Sequence, residues 1–127
     1  QLQAQARALI ERYRVKASGP RALAQSLSGG NLQKFIMGRE MMLEPSVLLV
    51  AQPTWGVDIG AASEIRQRLV AMRNAGAAIV VISEEIDELF EICDRLQVLH
   101  KGHLSPSQDV AATSVEQIGT YMIGAAA

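Results

Sequence analysis

The chain has 127 residues, 49% of them apolar, and its 12 Lys and Arg against 13 Asp and Glu give a formal net charge of −1. This length fits one domain or part of one. The near-neutral charge argues against binding nucleic acid through a general basic field, and no apolar run approaches the roughly 20 residues that span a bilayer.

The first third of the sequence predicts two helices separated by a loop. It begins at Gln1 without an initiator methionine or a signal segment, so we expect a piece of a longer protein. Apolar residues at helical spacing predict a first helix that ends near residues 13–16, and the breaker residues at 17–20 predict a loop. The same spacing predicts a second helix over residues 30–43, with Ser28 as its N-cap.

The middle of the sequence predicts a parallel strand pair joined by a helix. Residues 47–50 are continuously apolar, which is typical of a strand covered on both faces in a parallel sheet. Residues 77–82 repeat that pattern. An amphipathic helix over residues 61–75 lies between them, so the three elements predict a βαβ crossover and the class α/β.

The last third predicts shorter elements. A helix after Ser83 and a half-alternating strand at residues 96–99 predict that the crossover repeats. A turn follows, with a return strand within residues 103–105. Residues 114–117 read Ser-Val-Glu-Gln, which is typical of a capping box at the start of a last short helix.

The most specific run is Leu27–Lys34, which places two glycines at the start of a helix. The backbone N–H groups of Gly29 and Gly30 point outward there, Ser28 adds a hydroxyl donor, and the helix dipole adds partial positive charge. A phosphate group fits such a site. An ordinary serine N-cap with a flexible glycine pair fits the same residues, and geometry alone leaves both interpretations open.

The chain resembles the nucleotide-binding domain of ATP-binding cassette (ABC) transporters over nearly its full length. Leu27–Asn31 is similar to the Leu-Ser-Gly-Gly-Gln signature motif of that family. The later motifs follow in the family's order and spacing: an apolar strand ending in Pro-Thr at 47–54, a Gly-hydrophobic-Asp turn at 56–58 and an apolar strand at 79–83. Asn31 followed by Gln33 and Lys34 is similar to the tandem-domain importers of sugars and nucleosides.

This resemblance implies an α/β fold that is part of a P-loop NTPase-like parallel sheet with flanking helices. The first half of the domain would be absent from the chain. Residues 1–44 would form the end of the helical subdomain, including the signature motif and its helix. Residues 45–127 would form the C-terminal part of the RecA-like core with its terminal helix.

Three positions depart from the family pattern. Ala51 and Gln52 stand where the family has an Asp that organises Mg²⁺ and a Glu that polarises the attacking water, and Glu84 stands at the switch histidine. A methyl group cannot support a hydrated magnesium ion, and an amide cannot accept a proton as a general base. The resemblance therefore implies a degenerate site that does not hydrolyse ATP and contributes no Mg²⁺ ligand.

An alternative is that this half still hydrolyses ATP, with Gln52 or a nearby acid orienting the water. Three acids follow closely in sequence: Glu85, Asp87 and Glu88. Acids in the first turn of a helix also complement its dipole, which favours a structural role for them. The sequence leaves open whether this part of the protein is an enzyme by itself. A third hypothesis is a free-standing α/β interaction domain.

The chain has no Gly-x-x-x-x-Gly-Lys-[Ser/Thr] loop to grip the phosphates of its own nucleotide. Because nucleotide-binding domains of this family pair head to tail, the resemblance implies that the signature acts in trans on ATP held by the partner's phosphate loop. The residues involved would be Ser28, Gly29, Gly30 and Asn31. Gly56 and Asp58 would form the domain-pairing turn, although Asp58 also fits a capping residue before the next helix.

The same resemblance implies the partners and the location. They are a second nucleotide-binding domain, membrane permease subunits and, indirectly, a solute-binding protein, with no nucleic acid among them. The chain would then be part of the ATP-binding subunit of a sugar or nucleoside importer, peripheral to the cytoplasmic face of the cell membrane. We expect the single tryptophan, Trp55, at the surface or in the pairing face.

Overall fold

The computed structural model describes residues 1–125, which form two compact units, Gln1–Ile82 and a second that starts at Ser83. The first unit holds α1 (Leu2–Arg12), α2 (Gly29–Met42), β1 (Val47–Ala51), α3 (Ile59–Asn74) and β2 (Ala78–Ile82). The second holds α4 (Ile86–Ile92), β3 (Arg95–Leu96), β4 (Leu99–His100), β5 (His103–Leu104), β6 (Gln108–Asp109) and α5 (Val115–Met122). The functional division at residue 45 stays a prediction.

The predicted βαβ crossover is confirmed. β1 and β2 pair in parallel, in register from Val47 opposite Ala78 to Ala51 opposite Ile82. Helix α3 connects them. Gly76 ends this connection at φ +105°, in the left-handed region that favours glycine, and its N–H donates to the Arg73 carbonyl.

The core of the first unit lies among its three helices and one face of its strand pair. Helix α2 contacts both α1 and α3, and α3 contacts β2. The buried apolar side chains of this unit include Leu9, Tyr13, Met37, Met41, Leu48, Val50, Ile65 and Leu69. Gly38 lets the Tyr13 ring approach α2, because a Cβ atom there would lie 2.7 Å from the ring atom Cδ2.

The other face of the strand pair is open, contrary to the prediction of strands covered on both faces. Val47 and Leu49 are each 67% exposed, and Val80 and Ile82 are more than half exposed. The side chains of a strand alternate between its two faces. The burial pattern of β1 alternates in the same way, so the other elements of the first unit cover only one face of the strand pair.

The prediction of a repeated βαβ crossover in the second unit is wrong. β3 pairs with β6 and β4 with β5, both antiparallel, and no strand among residues 83–125 joins the β1–β2 pair. The single strand predicted at 96–99 is two separate strands. Ser105 is the cause, because its Oγ accepts from the Val98 N–H at 2.8 Å and its carbonyl accepts from the Gln97 side chain at 3.0 Å.

The remaining short elements follow the sequence. The predicted return strand is β5, and the predicted last helix is α5. Ser114 caps α5, since its Oγ accepts from the Gln117 N–H at 3.2 Å. Within residues 1–125, every helix falls short of the length or the apolar character needed to cross a bilayer.

Candidate nucleotide-contact site

Ser28 forms the N-cap of α2 and keeps a hydroxyl proton available. Its Oγ accepts from the Asn31 backbone N–H at 3.3 Å and from Asn31 Nδ2 at 2.9 Å. A hydroxyl oxygen has two acceptor sites and one donor. Both acceptor sites are used, so the remaining capacity of the exposed Ser28 hydroxyl is to donate its proton to an external oxygen.

The two glycines after Ser28 present open backbone. Gly29 and Gly30 occupy the first two positions of α2, whose N–H groups have no acceptor inside the helix. Gly29 is exposed, and an ideal Cβ atom on it would meet nothing within 4 Å. The capped helix start therefore offers one hydroxyl and two amide donors to an anion, supported by the helix dipole.

Asn31 is held differently from the other predicted contact residues. Its Nδ2 is bound to Ser28, and its Oδ1 accepts from the Lys16 backbone N–H at 2.8 Å. The side chain is half-buried. The structure therefore places Asn31 beside Ser28 as a support that fixes the cap, with both its polar atoms already engaged inside the chain.

The helix start packs against the turn that follows β1. A Cβ atom on Gly30 would lie only 2.8 Å from the Gly56 carbonyl oxygen, so only glycine fits this approach. Gly56 itself has φ +72°, and it lies in a sharp turn that glycine permits. The signature glycine and the predicted pairing turn thus lie side by side.

The structure contains a second contact between α2 and this turn, which the sequence analysis did not predict. Gln33 Nε2 donates to the carbonyl oxygens of Gln52 and Pro53, each at 3.0 Å. Gln33 lies five residues beyond Ser28, and the sequence singled it out only within the run that resembles the importers, without indicating this contact. The half-buried amide of Gln33 fixes the distance between the signature helix and the end of β1.

Asp58 caps α3, as the structural alternative predicted. Its Oδ1 accepts from the Ala61 N–H at 2.8 Å, and its Oδ2 lies 3.9 Å from Lys34 Nζ. The Ala61 hydrogen bond, and to a lesser degree Lys34, holds the pKa of the Asp58 carboxyl below its usual value. Its side chain is 72% exposed, and the pairing role of Asp58 and Gly56 stays a prediction.

The three positions predicted to depart from the family pattern lie at the end of β1 and before α4. Ala51 ends the strand, and Gln52 follows with φ +51° and donates its N–H to the Ile82 carbonyl at 2.7 Å. Glu84 is exposed in the bend before α4. Trp55 is 72% exposed, as expected.

The acids near the start of α4 differ in their surroundings. Glu88 is only 5% exposed and its Oε2 accepts from Ser83 Oγ at 3.3 Å. Glu85 and Asp87 are exposed. Among residues 1–125, no three His, Cys, Asp or Glu side chains come together in a way that could hold a metal ion.

Comparison with known proteins finds relatives that match most of this chain. Over 119 residues the chain is 41% identical to the nucleoside import ATP-binding protein NupA of Lactococcus lactis subsp. cremoris, a match that covers 94% of this chain and 24% of NupA. The chain is homologous to a segment of the ATP-binding proteins of sugar and nucleoside importers. The galactose/methyl galactoside import ATP-binding protein MglA of Escherichia coli is 40% identical over 110 residues, which are 87% of this chain and 22% of MglA. The homologous segment therefore spans about a quarter of these relatives, and no protein-family model matches the sequence.

Solved structures show the same fold at low sequence identity. The ATP-binding subunit of an ABC transporter superimposes with a TM-score of 0.80 at 18% identity, over 96% of this chain and 54% of that subunit. A dimeric bacterial ABC transporter cassette gives a TM-score of 0.72 at 20% identity, over 84% of this chain and 46% of the cassette. The predicted α/β class is confirmed, and the homologous segment has the fold of about half an ABC ATPase cassette.

Proposed function

We propose that this segment belongs to the ATP-binding subunit of a sugar or nucleoside importer and contacts ATP held by a partner domain. The observation that carries the proposal is the hydrogen bonding of Ser28. Its Oγ accepts twice from Asn31, which leaves its proton for an external acceptor. A terminal phosphate of a nucleotide supplies such an acceptor, and the N–H groups of Gly29 and Gly30 add two further donors.

The chemistry that these donors support is electrostatic positioning. Phosphoryl transfer places negative charge on the transferred group, and donors fixed in advance stabilise that charge without reorganisation. Asn31 and Gln33 fix the helix start on two sides, through Lys16 and through the turn after β1. The donors are therefore already aligned before a nucleotide arrives.

We infer that the segment's own hydrolytic position is inactive. Ala51 and Gln52 supply neither a carboxylate for a hydrated Mg²⁺ nor a general base. The exposed carboxylate of Glu84 would repel a phosphate where a histidine would attract it. The nucleotide would be gripped by the partner's phosphate loop, and this segment would contribute the signature side alone.

The proposed setting is a pair of nucleotide-binding domains on the cytoplasmic face of the membrane. A solved cassette with this fold is a dimer, which supports a partner domain. The names of the homologues, which import nucleosides, galactose and methyl galactoside, support a permease and a solute-binding protein as further partners. Closure of the pair on ATP would then be passed to the permease through the helical part of the segment.

The proposal is tested by ATP turnover and solute uptake in the assembled transporter. Ser28→Ala should lower turnover on the order of 100-fold, the loss expected when one fixed donor to a developing charge is removed. Ser114→Ala is the matched control, because it removes the same kind of N-cap from α5 and should leave turnover unchanged. Gln52→Ala should also leave turnover nearly unchanged. If Gln52→Ala stopped turnover as fully as Ser28→Ala, the division of roles would be wrong.

A further inference from the structure

Charge is distributed unevenly along the chain although its net charge is near zero. Residues 1–34 contain six basic side chains and one acidic side chain, a net charge of +5. Residues 35–127 contain six basic and twelve acidic side chains, a net charge of −6. A local excess of this size creates a positive potential over α1 and the loop after it, which attracts anions.

An open cleft of about 380 Å³ lies within this basic region, between the start of α1 and the loop 18–22. Its polar lining comes from Gln3, Arg7, Ser18 and Arg21, and no carboxylate lines it. A cleft lined by two guanidinium groups and a hydroxyl, without an acid to neutralise them, has the donor set that binds an oxyanion.

The Arg21 guanidinium is oriented as it would be for an anion. With the Gln3 amide oxygen turned toward it, Gln3 Oε1 accepts from Arg21 Nε at 2.8 Å and from Nη2 at 3.0 Å. Two parallel N–H donors on one edge of a guanidinium are the geometry used to bind carboxylates and phosphates. The neutral Gln3 amide oxygen thus accepts the two hydrogen bonds that an anionic oxygen would accept more strongly.

Arg7 supplies a second charge at the same cleft. It lies one helical turn after Gln3 on α1, on the same face of the helix. Among residues 1–125, the Arg7 side chain makes no hydrogen bond or ion pair. Its guanidinium is therefore available to a ligand, whereas Arg68, on α3, is bound to Glu64 at 2.8 Å.

We propose that this cleft is a binding site for a phosphate group. An oxygen of the phosphate replaces Gln3 Oε1 on Arg21, Arg7 binds a second oxygen, and the Ser18 hydroxyl donates to the same group. The site is separate from the Ser28 helix start and does not depend on the proposed function. Free phosphate and the phosphate of an anionic lipid headgroup share this chemistry, and the test distinguishes the two.

The test uses calorimetric titration of the full chain with inorganic phosphate at low salt, together with sedimentation on phosphatidylcholine vesicles with and without phosphatidylglycerol. Arg7→Ala and Arg21→Ala should each weaken binding at least about tenfold, the loss expected for a charge-assisted hydrogen bond. Arg39→Ala is the matched control. It removes one charge from an exposed arginine paired with Glu40, outside the cleft, and should leave binding unchanged.

Gln3→Glu gives an independent result. It places a tethered carboxylate in the Arg21 fork, so it should abolish phosphate binding and raise the thermal midpoint of unfolding. Binding of free phosphate that needs both arginines supports the site, and binding confined to vesicles with phosphatidylglycerol supports a lipid source. The proposal is overturned if neither phosphate nor those vesicles bind, or if Arg39→Ala weakens binding as much as the cleft variants.

Discussion

Gln33 and Gln52 are joined by a 3.0 Å hydrogen bond from the Gln33 side-chain amide to the Gln52 main-chain oxygen. The bond connects α2, which carries the predicted nucleotide donors, to the residue that directly follows β1. Gln52 takes part through its backbone, which also accepts from the Trp55 N–H at 3.1 Å. Because the bond uses the main-chain oxygen, the identity of the side chain at position 52 does not affect this support of α2.

This contact predicts a clear ranking of two substitutions at Gln33. Gln33→Leu removes hydrogen bonds to two carbonyls and should lower the free energy of unfolding by about 1–3 kcal/mol. Gln33→Glu should cost more, because a carboxylate would face two carbonyl oxygens without a donor. Urea unfolding measures both values. Gln67→Leu is the control, since within residues 1–125 the exposed Gln67 amide makes one long contact, 3.5 Å to Ser63 Oγ. Equal losses at 33 and 67 would contradict the assignment.

The two glycines of the helix start should respond differently to the same added methyl group. Gly30→Ala would place Cβ 2.8 Å from the Gly56 carbonyl, whereas Gly29→Ala meets open space. We expect Gly29→Ala to change the free energy of unfolding by less than about 0.5 kcal/mol and Gly30→Ala to lower it by about 1–3 kcal/mol. Equal effects of the two substitutions in urea unfolding would show that the helix start does not pack on the turn.

Helix starts could be predicted from the sequence because their causes are local. Ser28, Asp58 and Ser114 each cap a helix by accepting from an N–H three residues later, so a short window contains the whole interaction. The break between β3 and β4 depends instead on Ser105, which lies seven residues beyond the Val98 that it binds. Apolar spacing carries no information about that contact.

The site residues, like the helix starts, could be predicted where their interactions are local in sequence. Ser28 and the two glycines were identifiable because they are consecutive in sequence. Gln33 was not identifiable as a support, because its acceptors lie 19 and 20 residues further along the chain. The exposure of one face of β1 could not be predicted for a different reason. A continuous apolar run indicates that both faces of a strand favour burial, but it does not indicate which element covers each face.

Adjacent leucines of β1 provide a test of this one-sided burial. Leu48 is 5% exposed and Leu49 is 67% exposed, although both occupy the same strand. Leu48→Ala should lower the free energy of unfolding by about 2–5 kcal/mol, because it leaves a cavity in the core. Leu49→Ala loses the same strand propensity and should cost less than about 1 kcal/mol. Similar losses for both in urea unfolding would contradict one-sided burial.

The ionisation of Asp58 should make the free energy of unfolding larger at neutral pH than at acidic pH. The Ala61 N–H lowers the pKa of Asp58 in the folded chain from the ordinary 3.8, so the folded state favours the ionised form. The resulting stabilisation is present above the unfolded-state pKa and is lost as the pH falls through the lower, folded-state pKa. Asp58→Asn keeps a capping side chain but cannot ionise. Its unfolding free energy should therefore lie below that of the unchanged chain at about pH 7 and approach it as the pH falls through the folded-state pKa. Urea unfolding across this range measures the difference, and a gap that stays constant with pH would show that the Asp58 charge does not act at the start of α3.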